Sequence, residues 1–338
     1  MKDVAKSAGV STATVSRVLN SPDLVAPETA AKVQETIHLL GYRPNIFAQG
    51  LMTRKSRLLG IALPDIHGEF YSELLRGADS EARRLGYHLL ISSEVRDAES
   101  SLISPGSGFI AGVAVMLTEP TQTLWKQVRA ATLPLVVIDT DISDPDVDRV
   151  LVDNTTGTRD AVRHLLVSVM PELCFFIGGP KNNYDTQQRA KVFRASLAER
   201  MPGLAGLDEH HLHFGEYSVE WGHTRGLEIL SKHRANPSVQ EPIGILAAND
   251  EIAFGVMLAA ADLGLTIPGD VRIIGFDDTR LASLLRPGLS TVRVPMAQVG
   301  AAAISALVDR IDEPDREATC TRLPTELIIR GTSAPNRH

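Results

Sequence analysis

The stretch KDVAKSAGVSTATVSRVLN, Lys2–Asn20, decides how the N-terminal end of the chain folds. Val4, Ala5 and Ala8 fall on one helical face. Gly9 follows, where helix ends commonly need a left-handed residue. Ser11 is placed to cap a second helix, since its hydroxyl can accept from an orphan N–H. In that helix Val15, Val18 and Leu19 recur at i, i+3 and i+4 and point inward, so Thr12, Ala13, Ser16 and Arg17 point outward. Further along, Pro27 and Glu28 suit the first turn of a third helix that carries Ala30, Val33, Ile37 and Leu40 inward and stops at Gly41. Two short helices, a glycine turn and a third packing helix make the arrangement that sets its second helix in a DNA major groove. There a guanidinium such as Arg17 can bond a guanine edge or a phosphate. The same periodicity describes any small three-helix bundle, so on spacing alone both readings stand.

Charge favours an anionic partner for this end. The 338 residues carry 34 basic and 41 acidic side chains, a net charge of -7. Residues 1–57 hold eight basic against four acidic residues and the remainder 26 against 37, so a head of +4 precedes a body of -11. A basic head on an acidic body reads as a short module for an anionic partner joined to a different domain. The length allows two or three domains, and 43% hydrophobic with 22% charged residues excludes wholesale disorder. The longest apolar run, Phe109–Leu117, is far short of the roughly 18 residues of a membrane span. MKDVAKSAGV has no continuous apolar stretch, so no secretory leader is expected. Cys174 and Cys320 are too few for a disulfide scaffold and fit a reducing cytoplasm.

From Leu58 onward, short apolar runs alternate with helical patterns. LLGIALP (58–64) precedes a helix around Tyr71–Leu85; YHLLISS, FIAGVAVM and LPLVVID follow. A second series runs LCFFIGG, a helix near Asp185–Arg200, HHLHF, a helix near Val219–Ser231, IGILAAND, a helix near Ile252–Leu263, and VRIIGFDD. Such alternation gives parallel sheets with helices on both faces, and two series give two doubly wound lobes. Ligands bind such sheets beyond the carboxyl ends of the strands. Asp65, Asp139, Asn249-Asp250 and Asp277-Asp278 stand at those ends. Each fits a helix cap as well as a ligand contact; together they outline a polar cleft.

The head carries a resemblance. Lys2–Asn20 and its continuation VAPETAAKVQETIHLLGYRPNIFAQGL, Val25–Leu51, resemble the lactose-repressor (LacI/GalR) family of transcriptional regulators. The resemblance implies that Thr12, Ala13 and Arg17 form the base-reading face, with Ser11, Thr14, Ser16 and Asn20 at phosphate-contacting or packing positions. It implies that Pro44–Arg57 contains a hinge helix, PNIFAQGL, which in a dimer enters the minor groove with Leu51 as a wedge and Asn45 and Ala48 in support. Gly50 departs from the family and costs about 1 kcal/mol in a helix, so this hinge is expected to order only on DNA. The threonine that often caps the family's first helix is missing or lies upstream of Met1, and Ala26 replaces a frequent serine cap.

PDIHGEFYSELLRGADSEARRLGY, ILAANDEIAFGVMLAAADLGLTIPGDVRIIGFDD and LRPGLSTVRVP resemble the same family's effector-binding core, which is similar to periplasmic sugar-binding proteins. By that resemblance Phe70 and Tyr71 close over the ligand, and Asp139, Arg189, Asn249 and Asp277 are polar contacts. Tyr217 is a sugar-stacking aromatic, and Met296 lines the crossover between lobes. HGEF, SLISPGSG and SVMPE depart from the family pattern.

The expectation is therefore an all-α helix-turn-helix head (1–43), a hinge (44–57) and a two-lobed α/β body (58–338). The first lobe is expected near 58–158 and 290–319, the second near 159–289 and 320–332. Partners implied are palindromic operator DNA, a small-molecule effector of sugar type and a second copy of the chain, with further pairing of dimers left open. No cofactor, metal or membrane is expected. A transporter's solute-binding protein would share the lobes but lack the head, and a sugar-modifying enzyme would need catalytic groups that no spacing specifies. His210, His211 and His213 lack the ligand pattern of a metal site, and no phosphate loop or nucleophile elbow is present.

Overall fold

The computed structural model describes residues 1–20, 22–42, 56–93, 109–117, 125–126, 129–130, 133–140, 142, 144–200, 210–235 and 241–334. The chain divides into two units, Met1–Arg57 and Leu58–His338.

The first unit contains α1 (Lys2–Ala8), α2 (Thr12–Asn20) and α3 (Pro27–Leu39). Gly9 ends α1 at φ 64°, the left-handed value that removes any Cβ penalty. Val4, Ala5, Ala8, Val15, Val18 and Val33 form the core, with Leu19, Ala30 and Ile37 packed against it. Neither Met1 nor Ala26 supplies a side-chain cap. Leu40 is a correction: it is 48% exposed rather than inward-facing. Gly41, at φ 57°, turns the chain back and Tyr42 N–H donates to Ile37 O at 3.0 Å, so Tyr42 packs where Leu40 was expected.

The second unit holds two six-stranded sheets. The first contains β1 (Leu58–Ala62), β2 (His88–Ser92), β3 (Gly112–Met116), β4 (Leu135–Ile138), β5 (Asp148–Val152) and β11 (Cys320–Leu323), in spatial order β11-β5-β4-β3-β1-β2 and all parallel. The second contains β6 (Cys174–Gly178), β7 (Leu212–Phe214), β8 (Ile243–Ala247), β9 (Val271–Asp277), β10 (Ser290–Arg293) and β12 (Glu326–Ile328), in order β12-β10-β9-β8-β6-β7. Among the described strands of this sheet only β12 runs antiparallel to its neighbour. β1, β3, β4 and β8 are buried along their whole length, which is why they read as unbroken apolar runs.

The helices of this unit are α4 (Gly68–Arg84), α5 (Asn154–Leu165), α6 (Tyr184–Ala198), α7 (Val219–Arg234), α8 (Asp250–Asp262), α9 (Arg280–Leu284) and α10 (Met296–Asp312). In the first lobe α4 and α10 cross at facing glycines. A Cβ on Gly77 would lie 1.9 Å from Ala297 O, and one on Gly300 would lie 2.0 Å from Leu74 O. In the second lobe α7 and α8 cross in the same way, with Gly222 against Ile252 O and Gly255 against Val219 O.

The expected lobe limits need correction at each crossing. β10 pairs with β9 and so belongs to the second lobe. β11 pairs with β5 and so belongs to the first. α5 packs on α6, β10 and β12, which moves the first crossing back to the end of β5. A strand joins a sheet through partners remote in sequence, and those partners fix the crossings.

Candidate effector cleft and DNA-reading face

In the head, Ser11 Oγ accepts from Thr14 N at 3.0 Å and contacts Thr14 Oγ1 at 2.9 Å. These two hydroxyls therefore start α2, and a phosphate contact by either competes with the cap. Thr12, Ala13 and Arg17 are exposed on the same helix, while Thr14 and Ser16 are half-buried. The side chain of Asn20 lies outside the described residues, as do Asn45, Ala48 and Leu51 with most of the expected hinge. Ser11→Ala should remove about 1 kcal/mol from this helix start. Hydrogen exchange of the α2 amides should quicken roughly fivefold; unchanged exchange would leave the cap without consequence.

In the body, both sheets reverse strand order beside their first strand: β1 lies between β2 and β3, and β6 between β7 and β8. Crevices open at the carboxyl ends of such reversals. The two crevices face one another across a cavity of about 240 Å³. Asp65, Met116, Leu117 and Asp139 reach it from strand ends of the first lobe, Asn183, Asn249 and Asp277 from those of the second, and Asp185 from the first turn of α6. α4 adds His67, Glu69, Phe70 and Tyr71 at its start, and α6 adds Arg189.

Seven of the eight expected effector positions line this cavity: Phe70, Tyr71, Asp139, Arg189, Tyr217, Asn249 and Asp277. Met296 does not. It opens α10 on the crossover, is 7% exposed, and borders a neighbouring hollow with Phe70 and Asp277. Spacing alone missed Asn183, Asp185, Glu251 and Thr279, although Asp185 and Arg189 stand at the i, i+4 separation of a helical ion pair.

Arg189 is 4% exposed. Its Nε donates to Asn154 Oδ1 at 2.8 Å, Nη1 donates to Ala248 O, and its plane lies 3.6 Å from the Phe276 ring centroid. Burial opposes its charge, but Asp185, Tyr217, Asp277 and Asp139 around it more than offset that and hold the guanidinium charged. Tyr217 donates to Asn183 Oδ1 at 2.8 Å and meets Thr186 Oγ1 at 2.7 Å. Its ring covers Gly179, where a Cβ would lie 2.6 Å from the ring carbons. Asn249 caps α8, its Oδ1 accepting from Ile252 N at 2.9 Å, so the capping and lining readings both hold for it.

Asp139 and Asp277 sit at φ 54° and 115°, where residues other than glycine are strained. Burial raises both carboxyls well above the usual range; Asp185 adds to this at Asp139, while Arg189 opposes it at both. Behind them, burial pushes Asp250 up to about 7 against three donated hydrogen bonds, from Thr291 Oγ1, Thr279 N and Thr279 Oγ1. Glu69 Oε1 accepts from Arg280 N at 2.6 Å, a direct hydrogen bond from α4 of one lobe to α9 of the other. His67 Nδ1 meets Asp65 Oδ1 at 2.7 Å.

Outside the cleft, His211 Nδ1 bonds Cys174 O, and His211 and His213 stack on Phe175. Burial lowers His213 to about 4. These rings pack the sheet edge.

A bilobed clamp with a polar cavity at both strand reversals, carried on the same chain as a helix-turn-helix head, defines a transcription regulator with a sensor domain. The family described as bacterial regulatory proteins, lacI family, matches residues 1–45, and the periplasmic binding protein-like domain matches residues 162–333. Catabolite control protein A of Priestia megaterium is 33% identical over 334 residues, 98% of each chain. The chain belongs to the lacI family of bacterial transcriptional regulators, which are not enzymes. The crystal structure of the lac repressor dimer bound to operator and the anti-inducer ONPF shares the fold, with a TM-score of 0.84 at 24% identity over 98% of both chains. A LacI family transcriptional regulator from Enterococcus faecalis V583, solved with bound ribose, is 27% identical with a TM-score of 0.67, over 83% of this chain and 100% of that one. Among the described residues no helix is long and apolar enough to cross a membrane.

Proposed function

We propose that the chain is a cytoplasmic repressor that binds a palindromic operator as a homodimer and is controlled by a sugar-type effector held between the lobes. The observation that carries the effector half is the single cavity shared by both strand reversals, with carboxylates, amides, a guanidinium and aromatic rings around it. Such a mixture suits hydroxyl pairs on a sugar edge and C–H groups on its face. The relatives support the same reading: one is solved with ribose bound, and another on its operator as a dimer. The Glu69–Arg280 hydrogen bond is the kind of contact that separates a closed cleft from an open one, so ligand and latch act on one equilibrium. Full reversal of operator occupancy needs a preference of about 5.5 kcal/mol for one state.

The exposed face of α2 carries the DNA half. Arg17→Ala should weaken operator binding by about 1–3 kcal/mol and binding to unrelated duplex far less. Salt titrations on promoter fragments flanking the gene check this. Equal losses on both duplexes would make Arg17 a phosphate contact, and no specific fragment at all would remove the repressor reading.

A further inference from the structure

We infer that the effector is an amino sugar or a similar polyhydroxylated amine, held through its ammonium group. This deepens the reading of the cavity as the effector site and rests on it.

Six carboxylates line the cavity: Asp65, Glu69, Asp139, Asp185, Glu251 and Asp277. Among the described lining residues there is one guanidinium and no lysine. Most of that guanidinium is already engaged by the protein itself. Arg189 gives its Nε to Asn154, its Nη1 to the Ala248 carbonyl and its face to Phe276, and keeps Nη2, 3.9 Å from Asp185, without a hydrogen bond among the described residues. An incoming phosphate or carboxylate would meet only the Nη2 edge of that guanidinium, set among six carboxyls, a balance that disfavours an anion in a poorly hydrated site.

Two of these carboxyls, Asp139 and Asp277, are also poorly partnered by the protein. Asp139 is 6% exposed; it accepts one long hydrogen bond, from Val152 N at 3.3 Å, and otherwise meets the carboxyl of Asp185. Asp185 also accepts from Asn154 Nδ2 at 2.6 Å, while burial and the neighbouring Asp185 carboxyl raise Asp139 well above the usual carboxylate range. Two carboxyls in contact need a proton or a cation between them, and an ammonium group supplies the second. From the opposite lobe Asp277 makes no side-chain hydrogen bond among the described residues, and burial keeps it from ionising freely.

The cation is organic. No group of three or more His, Cys, Asp or Glu among the described residues could hold a metal ion. Phe70 and Tyr71, edge to face at 5.0 Å, add aromatic surface of the kind that suits both a sugar C–H face and a nearby ammonium.

The test is calorimetry and thermal shift on the full chain at pH 7. Glucosamine, galactosamine and mannosamine are compared with their N-acetyl forms, the parent hexoses, glucose 6-phosphate and galacturonate. At least one amine should bind at least tenfold tighter than its N-acetyl and parent forms, with protons released on binding as Asp139 ionises. Asp139→Asn and, separately, Asp277→Asn should each cut that preference at least fivefold with the circular dichroism spectrum unchanged. A neutral or acidic sugar that binds as tightly as the amines overturns the ammonium inference and leaves the effector cleft standing. An amine preference untouched by both substitutions also overturns it. Silence from the whole panel removes the amine inference and the sugar-type reading of the cavity together.

Discussion

Arg189→Ala should destabilise the body by about 3–5 kcal/mol, the range for removing one partner of a buried charge network. The guanidinium links α6 to Asn154 at the start of α5, to the backbone after β8 and to Phe276 on β9. Its removal leaves the Ala248 carbonyl and Asn154 Oδ1 without their donor. It also leaves Asp139, Asp185 and Asp277 without the one positive charge among them. The pH dependence follows with a definite sign. Asp139 and Asp277 already have folded values raised above their unfolded ones, so the folded state binds more protons and stability falls as pH rises through that window. Without Arg189 both groups rise further. The deficit of the variant should thus be smallest near pH 4–5, close to the ordinary carboxylate value, and grow toward pH 8. Urea unfolding of both proteins across that range measures it. A deficit independent of pH would mean that lost packing, and not lost charge, sets the effect. Effector binding should vanish as well, but this variant alone cannot separate ligand contact from a damaged cleft. Arg189→Lys, which keeps the charge and loses the planar fork, should recover part of the stability without restoring the Asn154 and Ala248 hydrogen bonds together.

The sheets were legible in the sequence because strands buried on both faces must be apolar throughout. LLGIA, GVAVM and IGILA stand out for that reason. β5 and β10 do not. β5 opens on Asp148-Arg149, and Asp148 is fully buried only because Arg310, Arg316 and Thr319 satisfy it from far along the chain. β10 begins Ser290-Thr291, both fully buried through hydrogen bonds to Arg330, Thr332 and Asp250. Polar strands satisfied at long range leave no local pattern. The same long-range pairing decides which lobe owns β10 and β11, so the crossings could not be placed from hydropathy. At the site, Asp139, Asn249 and Asp277 were visible as polar ends of apolar strands. Asp185 and Glu251 lie in the first turns of helices, where acidic residues have an ordinary reason to be, and only the cavity distinguishes them.

Gly77→Ala in the first lobe, or Gly255→Ala in the second, should cost about 3 kcal/mol or more, above the usual 1–3 kcal/mol of an overpacked core. A glycine inside a helix normally loses about 1 kcal/mol relative to alanine, so on propensity alone both changes should stabilise. Packing reverses the sign. The new methyl carbon would sit 1.9 Å from Ala297 O at position 77 and 2.1 Å from Val219 O at position 255. Both obstacles are backbone carbonyls in facing helices, which cannot rotate away as a side chain can. To reach van der Waals contact each helix pair must separate by more than 1 Å, losing the contacts that surround the crossing. In the first lobe the displaced helix is α10, whose first turn follows the crossover from β10. Gly77→Ala should therefore disturb the balance between open and closed cleft as well as stability. In the second lobe α7 and α8 lie on one side of the cleft, and α8 carries the Asn249 cap at its start. Gly255→Ala should lower the urea midpoint and weaken ligand affinity without affecting the head. A variant at either position that unfolds at or above the parent's urea concentration would show that the helices part without loss and that the crossing is not what holds each lobe together.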